Sequence, residues 1–234
     1  EADVGQVIID EFHFIADPDR GWAWHVPLVE MPHTQFVIMS ATLGDVTRLA
    51  TSLSDTTGRE TAVIGGVTRP VPLTFSWSLE PAHETIANLV ATHQAPVYVV
   101  HGTQAAAVER AQVLLSQGIA GSGHREALAE ELRGFAFASG FGQSLAKLLR
   151  AGIGVHHAGM LPRYRRLVER LAQRGLLEVI CGTGTLGVGI NVPIRPVMIT
   201  ALSKYDGTKM RQLTAREFHQ VAGRAGRAGY DPYG

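Results

Sequence analysis

The chain has 234 residues, 45% hydrophobic and 18% charged, which is enough apolar material for one core or two small ones. Basic and acidic residues balance at 21 each. Net charge therefore points to no nucleic-acid partner, though local backbone amides and a few arginines can still hold phosphates. The sequence has no apolar run of the roughly 20 residues a membrane span needs, no basic-then-apolar leader at its start, and a single cysteine, Cys181. The expected setting is a reducing, cytoplasmic one with no membrane partner.

Short apolar runs alternate with longer helical stretches, which predicts a parallel α/β architecture. Residues 7–9 and 36–39 have the composition of buried strands, and 45–53 reads as a helix after the Gly44 turn. Pro70 and Pro72 interrupt the pattern before an extended segment at 73–77. A lobe boundary is expected between 66 and 80, giving lobes of 1–75 and 76–234. The second half predicts a helix at 83–92, a strand at 97–100 and a helix at 103–116. Residues 117–151 carry many glycines and short helical pieces and are expected to be a less regular insertion. Strands at 153–155, 177–181 and 197–201 and helices at 163–174 and 214–227 complete the series. Each half thus reads as part of a doubly wound sheet, whose ligands bind beyond the carboxyl ends of the strands.

The first strand runs into Asp10-Glu11-Phe12-His13. A nucleoside triphosphatase needs such an acidic pair, one carboxylate for the Mg²⁺ bridging the phosphates and one to polarise water. An isolated Asp-Glu is more often a solvated strand end. The second strand leads into Ser40-Ala41-Thr42, whose hydroxyls can cap a helix or bond to a neighbouring acidic loop. The 220–227 stretch, QVAGRAGR, carries most information. On a helical period Gln220, Arg224 and Arg227 share one face, beside Gly223 and Gly226. Two converging arginines call for an anion, and arginine fingers on a transferring phosphoryl group meet that need. A solvated basic helix end would not explain two glycines inside a helix.

Residues 182–187, GTGTLG, match the dinucleotide-binding pattern GxGxxG and raise an oxidoreductase as a rival. Gly187, Gly189 and Pro193 follow where a helix should open, and the acidic residue at suitable distance, Asp206, sits in a turn. His156-His157 could hint at a metal, but adjacent strand residues face opposite ways.

In order, these motifs resemble a superfamily-two DExH-box helicase of the superkiller-type (Ski-like) branch. Asp10 to His13 is similar to motif II and Ser40-Ala41-Thr42 to motif III. Arg69-Pro70-Val71-Pro72-Leu73 resembles the connector between lobes, and Val99-Val100-His101-Gly102-Thr103-Gln104 resembles motif IV. His156-His157-Ala158-Gly159-Met160 resembles motif IVa, 183–193 motif V, and 220–227 motif VI. The resemblance implies two RecA-like lobes and an ATP-dependent helicase using ATP and Mg²⁺. It implies that Asp10 holds the metal, Glu11 activates water, and His13, Ser40 and Thr42 couple the lobes. Gln220, Arg224 and Arg227 would reach the triphosphate, with Gly189 and Asn191 on the nucleotide side of motif V. Thr103, Gln104, His157, Gly159, Thr183 and Thr185 would grip the nucleic-acid backbone without reading bases. The connector favours RNA over DNA.

Gly184 and Gly102 depart from the family pattern, which puts the strength of some backbone contacts in question. No lysine of the sequence follows a glycine, so GxxxxGK[ST] is absent. The expectation is a fragment, its first lobe truncated on the N-terminal side and its second near the last strand. The P-loop would come from an upstream part of the same lobe. The parent would be the enzyme and the piece alone inactive; the alternative is a catalytically inactive nucleic-acid-binding module.

Overall fold

A computed structural model describes the chain except residues 1–3, 18–20, 42, 67, 120–122, 185–191, 193 and 227–230. Two compact units divide it, Glu1–Thr68 and Arg69–Gly234. Residues 69–75, placed with the first lobe on sequence grounds, pack on the second unit. The reason is a set of backbone contacts: Thr74 N–H donates to Gly234 O at 2.8 Å and Gly234 N–H to Pro72 O at 2.9 Å.

In the first unit, strand β1 (Gln6–Ile9) pairs in parallel with β2 (Gln35–Ile38). A 3-10 helix (Phe12–Ala16) and helix α1 (Trp22–Glu30) connect them, and helix α2 (Thr47–Thr57) follows. Ile9, Phe12 and Leu28 form a small core, with Trp24, Phe36, Ile38 and Leu53 packed around it. Helix α2 starts two residues later than expected, because the Asp45 carboxylate accepts both N–H and Oγ1–H of Thr47, at 2.9 and 2.6 Å. Those bonds hold Asp45 outside the helix.

The second unit opens with helix α3 (Ala82–Ala91), strand β3 (Val97–Val100) and helix α4 (Gln104–Ser116). Helices α5 (Arg125–Glu131) and α6 (Phe141–Arg150) come next, then strand β4 (Ile153–His156), helix α7 (Pro162–Gln173) and strand β5 (Val179–Gly182). Strand β6 (Val197–Ile199), the antiparallel pair β7 (Ser203–Tyr205) and β8 (Met210–Gln212), and helix α8 (Ala215–Ala222) end the series. A parallel sheet in the order β4-β5-β3-β6 carries the core. Every residue of β3, β4 and β5 is buried, as a parallel sheet covered on both faces requires.

Two expectations need correction here. The 117–151 stretch contains α6, whose Leu145, Leu148 and Leu149 are buried in the main core, so this part of the supposed insertion belongs to the core. Phe141, Leu145, Leu148 and Leu149 recur at helical spacing, a signal masked by the surrounding glycines. The last helix ends at Ala222 instead of running to 227. Gly223 is its C-cap and Gly226 has φ +82°, so neither glycine lies inside a helix and neither carries the cost of a glycine in a helix interior.

Candidate nucleotide and nucleic-acid site

In the first unit the acidic pair sits beyond the carboxyl end of β1. Glu11 takes a left-handed conformation (φ 50°, ψ 42°), and its N–H donates to Asp10 Oδ1 at 2.7 Å. A side chain with a Cβ is unfavourable there, and such strain concentrates at functional sites. The turn is held from both sides: Phe12 N–H donates to Met39 O at 3.0 Å, and Trp24 Nε1–H to Asp10 O at 3.0 Å. Sequence reading missed Trp24, because nothing local marks an indole that reaches back across fourteen residues. His13, 5% exposed, brings Nδ1 to 3.2 Å from Glu11 Oε2 and 3.2 Å from Ser40 Oγ. The loops after β1 and β2 are thereby joined through one imidazole. Thr42, paired with Ser40 in the sequence reading, lies outside the described residues.

In the second unit the candidate residues gather at the carboxyl edge of β3, β4 and β5. Thr103 Oγ1 accepts the Ala106 N–H at 3.2 Å and so caps α4, putting Gln104 on that helix's first turn. Thr183 N–H donates to His156 O at 3.3 Å, and the Thr183 carbonyl accepts the Tyr98 hydroxyl. Gly102 has a structural reason: a Cβ there would stand 2.6 Å from Ser203 O, so the β7–β8 hairpin can rest on the end of β3 only because the side chain is absent. Gln104, His157 and Gly159 line one cleft. Thr185, Gly189 and Asn191 lie outside the described residues.

The adjacent histidines His156 and His157 differ. His156 is 3% exposed and its Nε2 is 2.7 Å from Glu169 Oε1; burial lowers its pKa more than the carboxylate raises it. His157 is also held below the usual imidazole value, by burial and then by His156. Burial thus favours the neutral form of both rings. Among the described residues no cluster of His, Cys, Asp or Glu could hold a metal ion.

After α8, Arg69 organises the glycine-rich turn. Its Nη2 donates to Gly223 O at 2.9 Å and Ala225 O at 2.8 Å, and its Nε to Val71 O at 2.6 Å. Val71, 4% exposed, occupies the space a Gly226 side chain would take. Gly226 therefore leaves room for the connector against the turn, and Gly223 supplies a carbonyl that holds it. Gln220 and Arg224 are half-buried on either side of Gly223, and Arg227 lies outside the described residues. Sequence reading named the connector but missed that Arg69 pins this turn.

No family model matches the chain. Mouse Superkiller complex protein 2 is 30% identical over 99% of the chain and 24% of its own length. The DNA helicase Hel308 of Pyrobaculum calidifontis is 32% identical over 99% of the chain and 35% of its length. Antiviral helicase SKI2 of Saccharomyces cerevisiae is 46% identical over 37% of the chain and 7% of its length. The chain belongs to the Ski-like branch of the superfamily-two DExH helicases. It spans about a quarter to a third of the length of the first two relatives.

In Ski-like terms the parallel sheets are those of RecA-like lobes. The oxidoreductase rival loses its acidic anchor: Asp206 Oδ1 accepts the N–H groups of Thr208 and Lys209, each at 2.9 Å, and closes the β7–β8 turn. Those bonds lower its pKa to about 2. Gly182 is explained by sheet packing, since a Cβ there would meet His156 O at 2.5 Å.

Proposed function

We propose that this chain forms part of an ATP-driven helicase motor acting on RNA, in a cytoplasmic setting. The observation that carries the reading is the His13 bridge, an imidazole 3.2 Å from both Glu11 and Ser40 at the ends of two parallel strands. Asp10 presents an exposed carboxylate of the hard-oxygen type that Mg²⁺ accepts while keeping most of its waters. When bound, Mg²⁺ would neutralise charge on the phosphates. Glu11 would polarise the attacking water, and His13 would fix the Glu11 carboxylate and pass its position to Ser40 and Thr42. Gln220, Arg224 and Arg227 would offer polar contacts to the triphosphate, with Gly189 and Asn191 on the nucleotide side of motif V. Thr103, Gln104, His157, Gly159, Thr183 and Thr185 would line the path of the nucleic-acid backbone.

RNA is preferred to DNA on the connector 69–73; of the similar proteins, mtr4 of Schizosaccharomyces pombe is named an ATP-dependent RNA helicase and Hel308 a DNA helicase. The phosphate cradle GxxxxGK[ST] is not in these residues, so hydrolysis is assigned to a protein that supplies it. The test is made on such an intact protein. Glu11→Gln should lower RNA-stimulated ATP turnover by about 10²-fold or more, as loss of a water-polarising group does, with RNA affinity measured without nucleotide unchanged. Turnover at the parental rate would refute the assignment of Glu11. The inactive binding module is favoured instead if the parental protein binds RNA and hydrolyses no ATP.

A further inference from the structure

A cleft of about 390 Å³ opens in the second unit between the start of α4, the loop before α6 and the turn after β4. Its volume lies within the range of small-molecule sites. None of its lining residues carries a formal charge; its polar groups are Gln104, Ser139, His157 and Tyr164. His157 is the unusual one. It is 7% exposed, and neither ring nitrogen has a hydrogen-bond partner among the described residues. Leaving both unmet in the interior costs free energy that a bound group with its own donor and acceptor would recover.

The cleft is built to stay open. Tyr164 Oη accepts the Ala138 N–H at 2.8 Å, fixing the loop before α6. Phe137 stacks on Tyr164 with ring centres 6.0 Å apart, and Phe141 leans on Tyr164 at 6.4 Å and on His157 at 6.3 Å. The missing side chain of Gly159 leaves room that the Gln104 carboxamide uses, beside His157 Nδ1. An aromatic wall, a neutral imidazole and a carboxamide thus converge in the cleft, and the nearest described cation, Arg163, stands at its rim with Nη2 3.2 Å from Tyr164 Oη.

We propose that this cleft takes one unstacked nucleobase of the bound strand, with Phe141 as the aromatic surface and Gln104 and His157 meeting the base edge. A neutral imidazole and a carboxamide each offer one kind of donor and one acceptor, the complement of a base edge. The proposal rests on the reading of this face as the nucleic-acid side of the motor. It adds a base contact to a grip otherwise made on sugar and phosphate.

The experiment compares binding of this chain to an all-adenine RNA decamer and to an abasic ribose-phosphate decamer of equal charge, at one salt concentration. The adenine strand should bind at least about 10-fold tighter, the advantage one stacked base confers. Phe141→Ala should remove that advantage and leave abasic-strand affinity unchanged. Ala105→Leu narrows the cleft from an exposed position on α4 and should do the same without threatening the core. Equal affinity for both strands in the unaltered chain would overturn the base pocket while leaving the backbone grip intact. Binding to neither strand would overturn both. An advantage that survives in both variants would place the base contact elsewhere and overturn this assignment.

Discussion

At the scale of single residues, Glu11 shows how the backbone and the chemistry of a site are tied together. Its left-handed φ of 50° turns the chain sharply beyond β1, so that Asp10, Glu11 and His13 crowd one strand end. A residue with a Cβ loses about 1–2 kcal/mol in that conformation, whereas glycine adopts it freely and loses about 0.5–1 kcal/mol through unfolded-state entropy. Glu11→Gly should therefore leave stability within about 1 kcal/mol of the parent, even with the His13 contact gone. Glu11→Val, with a β-branched side chain in the same conformation, should be less stable than Glu11→Gly by about 2 kcal/mol. Urea unfolding of the two variants decides the matter. Equal stability would mean that the turn does not require a left-handed residue at position 11.

Between elements, Gly102 governs how the β7–β8 hairpin meets the sheet. The obstructing atom, Ser203 O, belongs to the backbone and cannot swing aside as a side chain would. Tyr205 N–H also donates to Gly102 O at 3.3 Å, so the hairpin is fixed at this crossing. Gly102→Ala should destabilise the second unit by about 1–3 kcal/mol, the range for overpacking a filled interior. A substitution at Gly159 is the control, because the group it would displace is the end of the flexible Gln104 side chain. Gly159→Ala should cost less than Gly102→Ala in denaturant midpoint. The hairpin is further held to α8 by Glu217, which takes both Nη atoms of Arg211, at 2.7 and 2.6 Å, and Lys204 Nζ at 2.5 Å. These cations, Arg211 first, hold the Glu217 carboxyl far below the ordinary carboxylate range.

For the molecule as a whole, buried histidines set the response to pH. Burial pushes His101 down to about 4 and also lowers His156 and His157. A histidine whose folded pKa is depressed binds its proton more readily in the unfolded chain. Stability from these groups is therefore present above the unfolded value of about 6.5 and declines as pH falls below it. For His101 the decline ends near pH 4. Each such histidine contributes at most about 1.4 kcal/mol per pH unit in that window. The urea midpoint of this chain should thus be clearly lower at pH 5 than at pH 7.5, and His101→Gln should reduce the difference. A midpoint unchanged between the two pH values would show that these side chains are not kept neutral by the fold.

The sequence by itself determined the parallel α/β class and the order of most elements, because buried strands need unbroken apolar runs and helices need a longer period. Val97–Val100 was legible to the residue for that reason. It also determined the family, since motif order survives where overall identity is near 30%. Tertiary structure decided what local pattern could not express. The glycines near 223–226 looked like a helix face, yet Gly226 serves the packing of Val71, from a segment more than 150 positions away. Gly102 looked like a weakness of motif IV and is the seat of a hairpin. Helix α6 was legible only as a short helical piece of an insertion, and the sheet made it core by giving its leucines a surface to cover. The His13 bridge and the cleft around His157 each join residues from separate elements. Contacts of that kind are fixed by packing between elements, and spacing along the chain carries no record of them.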